Sequence, residues 1–414
     1  DAGMDAEGTG VRRNPGKYDV TRGEISMRAK AKRFLIFAIA AVIAGYAFNF
    51  IFNPFGLGPE PRKVLPDSFF TAPAKDLSCL ELLVDGREAA EKIRQELLDA
   101  RSSVLIQIYI WKDDNIGRRL ADNLKSLAAK GVKVTVRKDI LGTFFELGDM
   151  VKGRPSPVFA RDGIKGHQNI DVQTDIRADT DHSKYFIVDD RVAAFGGMNI
   201  ADEYHLDWHD YMVMIRDRRW TEAFKNKVLR SRPWPQPSPF VISANDRTAS
   251  EIRTAFVQMI DNAKERIVIE HAYFSDDKII EALVKAAGRD VRIDLILPEK
   301  PDTHHFANMM TINRLLSLSS KGTIRVFLYP GMSHAKVALA DGVIAAVGSA
   351  NLTSRSMLRS REVTLFVHGL PDAPFIKRLR DQLEDDIAAS KQFAGHYQLG
   401  FIEHAGAIAG KYIW

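Results

Sequence analysis

Cysteine is almost absent: Cys79 is the single thiol in 414 residues, which excludes an intramolecular disulfide framework and any zinc site built from several thiolates. Charge of one sign is scarce as well. With 58 basic and 53 acidic side chains the net charge is +5, compatible with phosphates or anionic lipid but short of the concentrated excess of a nucleic-acid-coating protein. No phosphate-binding G-x-x-x-x-G-K-[ST] loop occurs, and Gly348-Ser349 lacks the G-x-S-x-G context of a nucleophile elbow. His304-His305 does not read as a metal pair, because adjacent residues do not share a helix face and no carboxylate stands at a suitable spacing. What remains, at 45% hydrophobic and 27% charged residues, is globular protein long enough for two or three domains of ~150 residues.

Long apolar runs are scarce too, with one exception. Phe34–Phe52 holds 19 residues without a charge, enough at ~1.5 Å per residue to cross the hydrocarbon of a bilayer. Arg28, Lys30, Lys32 and Arg33 precede it, and the following segment is poorer in basic residues, so the amino terminus is expected in the cytoplasm. The run is long for a cleaved signal, and the A-x-A at Ala72-Pro73-Ala74 lies too far downstream. A retained transmembrane helix is therefore expected over 34–52, after a basic segment 1–33 and before a Pro- and Gly-rich linker 53–76.

A second break is Ser231–Pro239, where four prolines forbid a helix or a central strand. The blocks on either side, 77–232 and 240–390, resemble each other and leave a tail, 391–414. Each opens with a helical pattern (Ile93, Leu97, Leu98; Ile252, Phe256, Ile260), followed by an apolar run and an acidic pair (Asp113-Asp114; Asp276-Asp277). Each continues with a helix and another apolar strand, which predicts an α/β fold and an internal duplication.

The chemistry-bearing residues repeat with the duplication. His182, Lys184, Asp189, Gly196, Asn199 and Asp210 recur 152 residues later as His334, Lys336, Asp341, Gly348, Asn351 and Glu362. A lone H-x-K-x4-D would arise by chance on the order of 0.05 times in such a chain, but two copies with trailing Gly, Asn and acid in register are hard to dismiss. Histidine and lysine two apart on a strand point to one face. Two such copies facing each other would place two imidazoles, two ammoniums and two amides around one anion. A phosphodiester needs a nucleophile on one side of phosphorus and a proton donor for the leaving alkoxide on the other, roles that two histidines can fill. Lys184, Lys336, Asn199 and Asn351 would neutralise the non-bridging oxygens. Asp210 and Glu362, each 28 residues past its histidine, are the candidates for an acid that holds Nδ1.

These paired motifs resemble the HKD signature of the phospholipase D superfamily, over about 310 residues, and within it the chain is most similar to bacterial cardiolipin synthases. Tyr273-Phe274-Ser275-Asp276 and Leu297-Pro298-Glu299-Lys300-Pro301-Asp302 resemble the second-half pattern of those enzymes. The resemblance implies two tandem phospholipase D-like α/β/α sandwich domains with pseudo-twofold symmetry, beside the transmembrane helix. It implies metal-independent phosphatidyl transfer between two phosphatidylglycerol molecules, without a cofactor, through a phosphohistidine. His182 would be the nucleophile, His334 the general acid/base, and Asp210 and Glu362 the imidazole supports. Asp189 and Asp341 belong to the motif's catalytic set, although turn-forming carboxylates at a strand end are the stronger reading for both. The chain departs from the commonest pattern in having one hydrophobic span instead of two and Asp210 where the second half has Glu362. The expected setting is a bacterial inner membrane, single-pass, with the catalytic domains on the outer face. Phospholipid and membrane are the expected partners, a homo-oligomer is left open, and nucleic acid is not expected. Phe144–Leu147 and Phe306–Met310, placed between secondary elements, are candidates for the acyl-chain entrance. Hydrolysis of phospholipid or nucleic acid by the same site stays open as the alternative.

Overall fold

The central strands are short aliphatic runs buried on both faces, the pattern of sheets covered by helices. The computed structural model describes residues 57–176, 179–318 and 322–412. The expected transmembrane helix and the basic segment before it lie outside the described residues. Among those described, no helix is long and apolar enough to cross a membrane.

The first half contributes β1 (Leu80–Val84), β2 (Ser103–Ile108), β3 (Lys133–Asp139), β4 (Ile170–Asp175), β5 (Thr180–Asp181), β6 (Tyr185–Val188), β7 (Val192–Gly196) and β8 (Tyr211–Ile215). All but β5 form one sheet in the order β1-β8-β7-β6-β2-β3-β4. The second half contributes β9 (Phe240–Asn245), β10 (Arg266–His271), β11 (Arg292–Pro298), β12 (Ile324–Tyr329), β13 (Lys336–Ala340), β14 (Ile344–Gly348), β15 (Ser360–His368) and β16 (Lys391–Phe393). Its order is β16-β12-β11-β10-β13-β14-β15, with β9 also on β15 and β5 crossing from the first half to the end of β15. The path from β8 to β4 thus repeats from β15 to β12, and the duplication is one of topology. In each half the parallel strands are joined through helices, Asn115–Ala129 in one and Asp277–Gly288 in the other. Asp114 and Asp276, from the two acidic pairs, cap these helices by accepting from Gly117 N at 2.9 Å and Ile279 N at 3.1 Å.

The halves share a core. One hydrophobic cluster joins Tyr185, Phe195 and Val213 of the first sheet to Val347 and Leu365 of the second. Two expectations need correcting. The segment 57–76 is no free linker: it holds the helix Asp67–Thr71, buries Leu65 and Phe69, and bonds Val64 N and Leu65 N to Gln258. Neither candidate entrance lies between elements: Phe144–Leu147 fall in the short helices Leu141–Glu146 and Leu147–Val151, and Phe306–Met310 lie inside the helix His305–Leu318, a segment with no helix-breaking residue. The tail pairs β16 with β12 and forms the helix Phe401–Tyr412, whose Gly406 lies against Phe306.

Candidate active site

The two motif histidines do not sit on strands. His182 and His334 occupy extended segments just before β6 and β13, and each segment is held by the other half. Thr180 and Asp181 pair in parallel with Ser360 and Arg361, and His182 N donates to the Arg361 carbonyl at 3.0 Å. Ser333 forms the matching bridge to His209, and His334 N donates to the His209 carbonyl at 2.7 Å. Because Arg361 precedes Glu362 and His209 precedes Asp210, each backbone bond carries a histidine to the acid of the opposite half.

The side chains follow. His182 Nδ1 lies 2.9 Å from Glu362 Oε1, and His334 Nδ1 lies 2.7 Å from Asp210 Oδ2. The pairing is crossed: the acid 28 residues past one histidine serves the other. With Nδ1 held by the acid, Nε2 is the nitrogen of each ring that faces the chemistry, and at His334 it also lies 3.2 Å from Lys336 Nζ. His182 keeps 18% of its side chain exposed, His334 only 4%. Tyr109, just beyond β2, lies 4.9 Å from the His182 ring, while Tyr204, Trp208 and Tyr273 enclose His334 at 5.1, 5.6 and 6.2 Å.

Lys184 and Lys336 are buried, and each Nζ donates at 2.5 Å to the carbonyl of its own motif histidine. Burial pushes Lys184 down to about 7, against the pull of Glu362, and Lys336 down to about 8, against Asp210. Burial, then the neighbouring lysine, holds both imidazoles below the ordinary histidine value, so both rings are neutral near pH 7. The supporting acids differ. Burial raises Asp210 to about 6 despite Lys336, whereas for Glu362 the His182 ring, Lys184 and the Ser349 hydroxyl together outweigh burial and lower it. Gly197 and Ser349, equivalent in the repeat, explain part of this. A Cβ on Gly197 would stand 2.4 Å from Asp210 Oδ1, so only glycine admits the carboxylate there, while Ser349 Oγ donates to Glu362 Oε2 at 2.5 Å.

Asn199 and Asn351 are buried. Asn199 spends its Oδ1 on Ile110 N at 3.0 Å and bonds the Tyr204 hydroxyl, while Asn351 Oδ1 has no hydrogen-bond partner. Asn199 thus braces the wall beside His334, and Asn351 retains an uncommitted acceptor. Asp189 and Asp341 do not join the site. Asp189 accepts from Arg101 N, Ser102 N and Ser103 N at 2.7–2.8 Å, and Asp341 from Lys264 N, Glu265 N and Arg266 N at 2.8–3.0 Å. Both adopt positive φ (51° and 52°) at the far ends of β6 and β13, pinning the turn to the start of β2 or β10. Their place in the catalytic set is corrected to a structural one.

Residues 93–231 and 256–387 match the family described as cardiolipin synthase, PLD-like domain. The chain belongs to that family. It is 28% identical over 349 residues to the major cardiolipin synthase ClsA of Bacillus subtilis (strain 168), across 76% of this chain and 70% of the relative. It is 29% identical over 347 residues to the cardiolipin synthase of Listeria monocytogenes serotype 4a (strain HCC23), with the same coverage of both. Its fold is shared with phosphatidylserine synthase of Haemophilus influenzae Rd KW20 (TM-score 0.63, 13% identity, 89% of this chain and 95% of that one). The polyphosphate kinase of Porphyromonas gingivalis is a more distant fold neighbour (TM-score 0.53, 16% identity, 80% of this chain and 54% of that one).

Several site residues of this PLD-like protein were not singled out in the sequence for a part in the site. Tyr109 and Tyr273 come just after equivalent strands and shelve the two histidines, but they stand one position out of register, so no repeated letter marks them. Lys138 and Glu146 form a buried pair at 2.6 Å, and Lys138 Nζ also bonds the Tyr109 carbonyl at 2.8 Å, fixing that shelf. Phe145 is 41% exposed with its ring 5.9 Å from Tyr109, which places the Phe144–Leu147 stretch near the His182 side.

Proposed function

We propose that the chain transfers a phosphatidyl group from one phosphatidylglycerol to another, forming cardiolipin and releasing glycerol. The observation that carries this is the crossed constellation: two neutral imidazoles, each Nδ1 held by a carboxylate of the opposite half and each beside a buried lysine. His182 Nε2 attacks phosphorus, and the bond to the glycerol oxygen breaks. His334, which takes up a proton from solvent as the anionic phosphodiester enters beside it, gives that oxygen its proton. The neutral ring then takes a proton from the hydroxyl of the second phosphatidylglycerol, which attacks the phosphohistidine. The P–N bond breaks, His182 is freed, and His334 again carries the proton. The greater exposure of His182 and its ionised Glu362 partner favour it as nucleophile. Lys184 and Lys336 neutralise the non-bridging oxygens, in the place where a metal ion would otherwise act.

The same reading assigns 77–232 and 240–390 as two PLD-like domains and 34–52 as an anchor in a bacterial inner membrane, amino terminus inward and catalytic part outward. One chain supplies both histidines, so the site does not require a second copy. Incubating the purified full chain with phosphatidylglycerol vesicles, with and without chelator, tests the proposal by mass analysis of products. Cardiolipin plus glycerol, unaffected by chelator and lost in His182→Ala, supports it. Phosphatidic acid alone would mean hydrolysis, and dependence on a divalent ion would defeat the mechanism.

A further inference from the structure

His209 and Arg361 hold equivalent positions, 152 residues apart, immediately before Asp210 and Glu362. Each gives its carbonyl to the N–H of the opposite half's histidine. Each is also ringed by carboxylates. Arg361 forms ion pairs with Asp175, Asp179 (3.2 Å) and Asp181 (3.0 Å), all from the first half. His209 Nδ1 lies 2.6 Å from Asp85, and its Nε2 lies 3.2 Å from Asp386 and 3.7 Å from Glu270, the last two from the second half. The Tyr211 hydroxyl, 3.0 Å from Nε2, donates to Asp386 at 2.8 Å, and Ser333 Oγ donates to Glu270 at 2.7 Å.

We infer that His209 is a fixed imidazolium, the counterpart of Arg361, and that the two cations are crossed clamps positioning His334 and His182 against their acids. This rests on the two-histidine mechanism proposed above and names the positioning residues that reading lacks. Three features support a cation over a metal ligand, although His209, Glu270 and Asp386 stand close enough together to hold an ion. Both ring nitrogens face carboxylates, so both carry protons, whereas a ligand would need a lone pair on Nε2. The equivalent position is an arginine in a matching ring of three carboxylates. Tyr329 stacks on the His209 ring at 5.2 Å and 22°, a geometry that favours positive charge. The carboxylates hold the ring protonated far above the ordinary histidine range in spite of burial.

The test compares full-length wild type, His209→Gln and His209→Arg by three readouts: cardiolipin kinetics, hydrogen exchange of the peptide containing the His334 amide, and metal content. His209→Gln should cut kcat about 30-fold or more with KM within about threefold, and should speed exchange at His334, because a lost partner leaves buried charge uncompensated. His209→Arg should restore slow exchange and most of kcat; Arg361→Gln should show the mirrored effect at His182. If His209→Gln does not fold, the double variant His209→Gln/Glu270→Gln, which removes a carboxylate with the cation, should fold and still show fast exchange at His334. Unchanged exchange in His209→Gln or in the double variant, or one equivalent of zinc in wild type that His209→Gln loses, would overturn the inference. A wild type that makes no cardiolipin would sink the proposed function while leaving the exchange comparison decisive for the clamp.

Discussion

The crossed pairing predicts that the two supporting acids are not interchangeable. Glu362→Gln keeps the shape of the side chain but replaces an ionic acceptor at His182 Nδ1 with a neutral one, and it weakens the bond from Ser349. A buried hydrogen bond to a charged group contributes about 1.5–3 kcal/mol, so attack by His182 should slow roughly 10- to 150-fold. Asp210→Asn does the same to His334, whose proposed task is to protonate the leaving oxygen. A substrate with a good leaving group needs no such proton. The assay therefore compares glycerol release from phosphatidylglycerol with p-nitrophenol release from an aryl phosphodiester. Glu362→Gln should depress both rates alike, because the nucleophile is impaired in each. Asp210→Asn should depress the lipid reaction roughly 10-fold or more and spare the first turnover of the aryl substrate. The reverse pattern would assign His334 as nucleophile, and equal losses in both variants would refute division of labour between the histidines.

Four further outcomes are expected. In kcat, which reports loaded enzyme, the alkaline limb should lie above the about 7 and about 8 at which Lys184 and Lys336 lose their charge in the empty site, because bound phosphate raises both. The acid limb should lie below the ordinary histidine value, since His182 stays neutral until its depressed pKa is reached. Gly197→Ala should retain the fold, within about 1–3 kcal/mol by thermal unfolding, yet lose at least about 100-fold in kcat, because the new Cβ displaces the Asp210 carboxylate. Asp189→Ala should do the opposite, losing about 2–4 kcal/mol of stability with kcat at 25 °C within about threefold, since it holds backbone amides away from the histidines.

The repeat in His182, Lys184 and Asp210 and their counterparts was legible because covalent spacing beside the strand ends preserves a register that chemistry requires. Apolar runs such as Tyr185–Val188 declared buried strands, and the acidic pairs marked helix starts. Leu65 and Phe69 were hidden by the prolines and glycines around them, which read as linker although the two apolar side chains find a surface on the second half.

Sequence by itself determined the parts: which residues repeat, that they are histidine, lysine and acid without thiol or phosphate loop, and that the halves are α/β. Tertiary structure alone decided the partners. The acid 28 residues past a histidine serves its twin, because His182 and His334 are pinned by backbone bonds to Arg361 and His209 across a shared core. The physical reason is that a hydrogen bond depends on distance in space, and packing two sheets against each other sets that distance independently of separation along the chain.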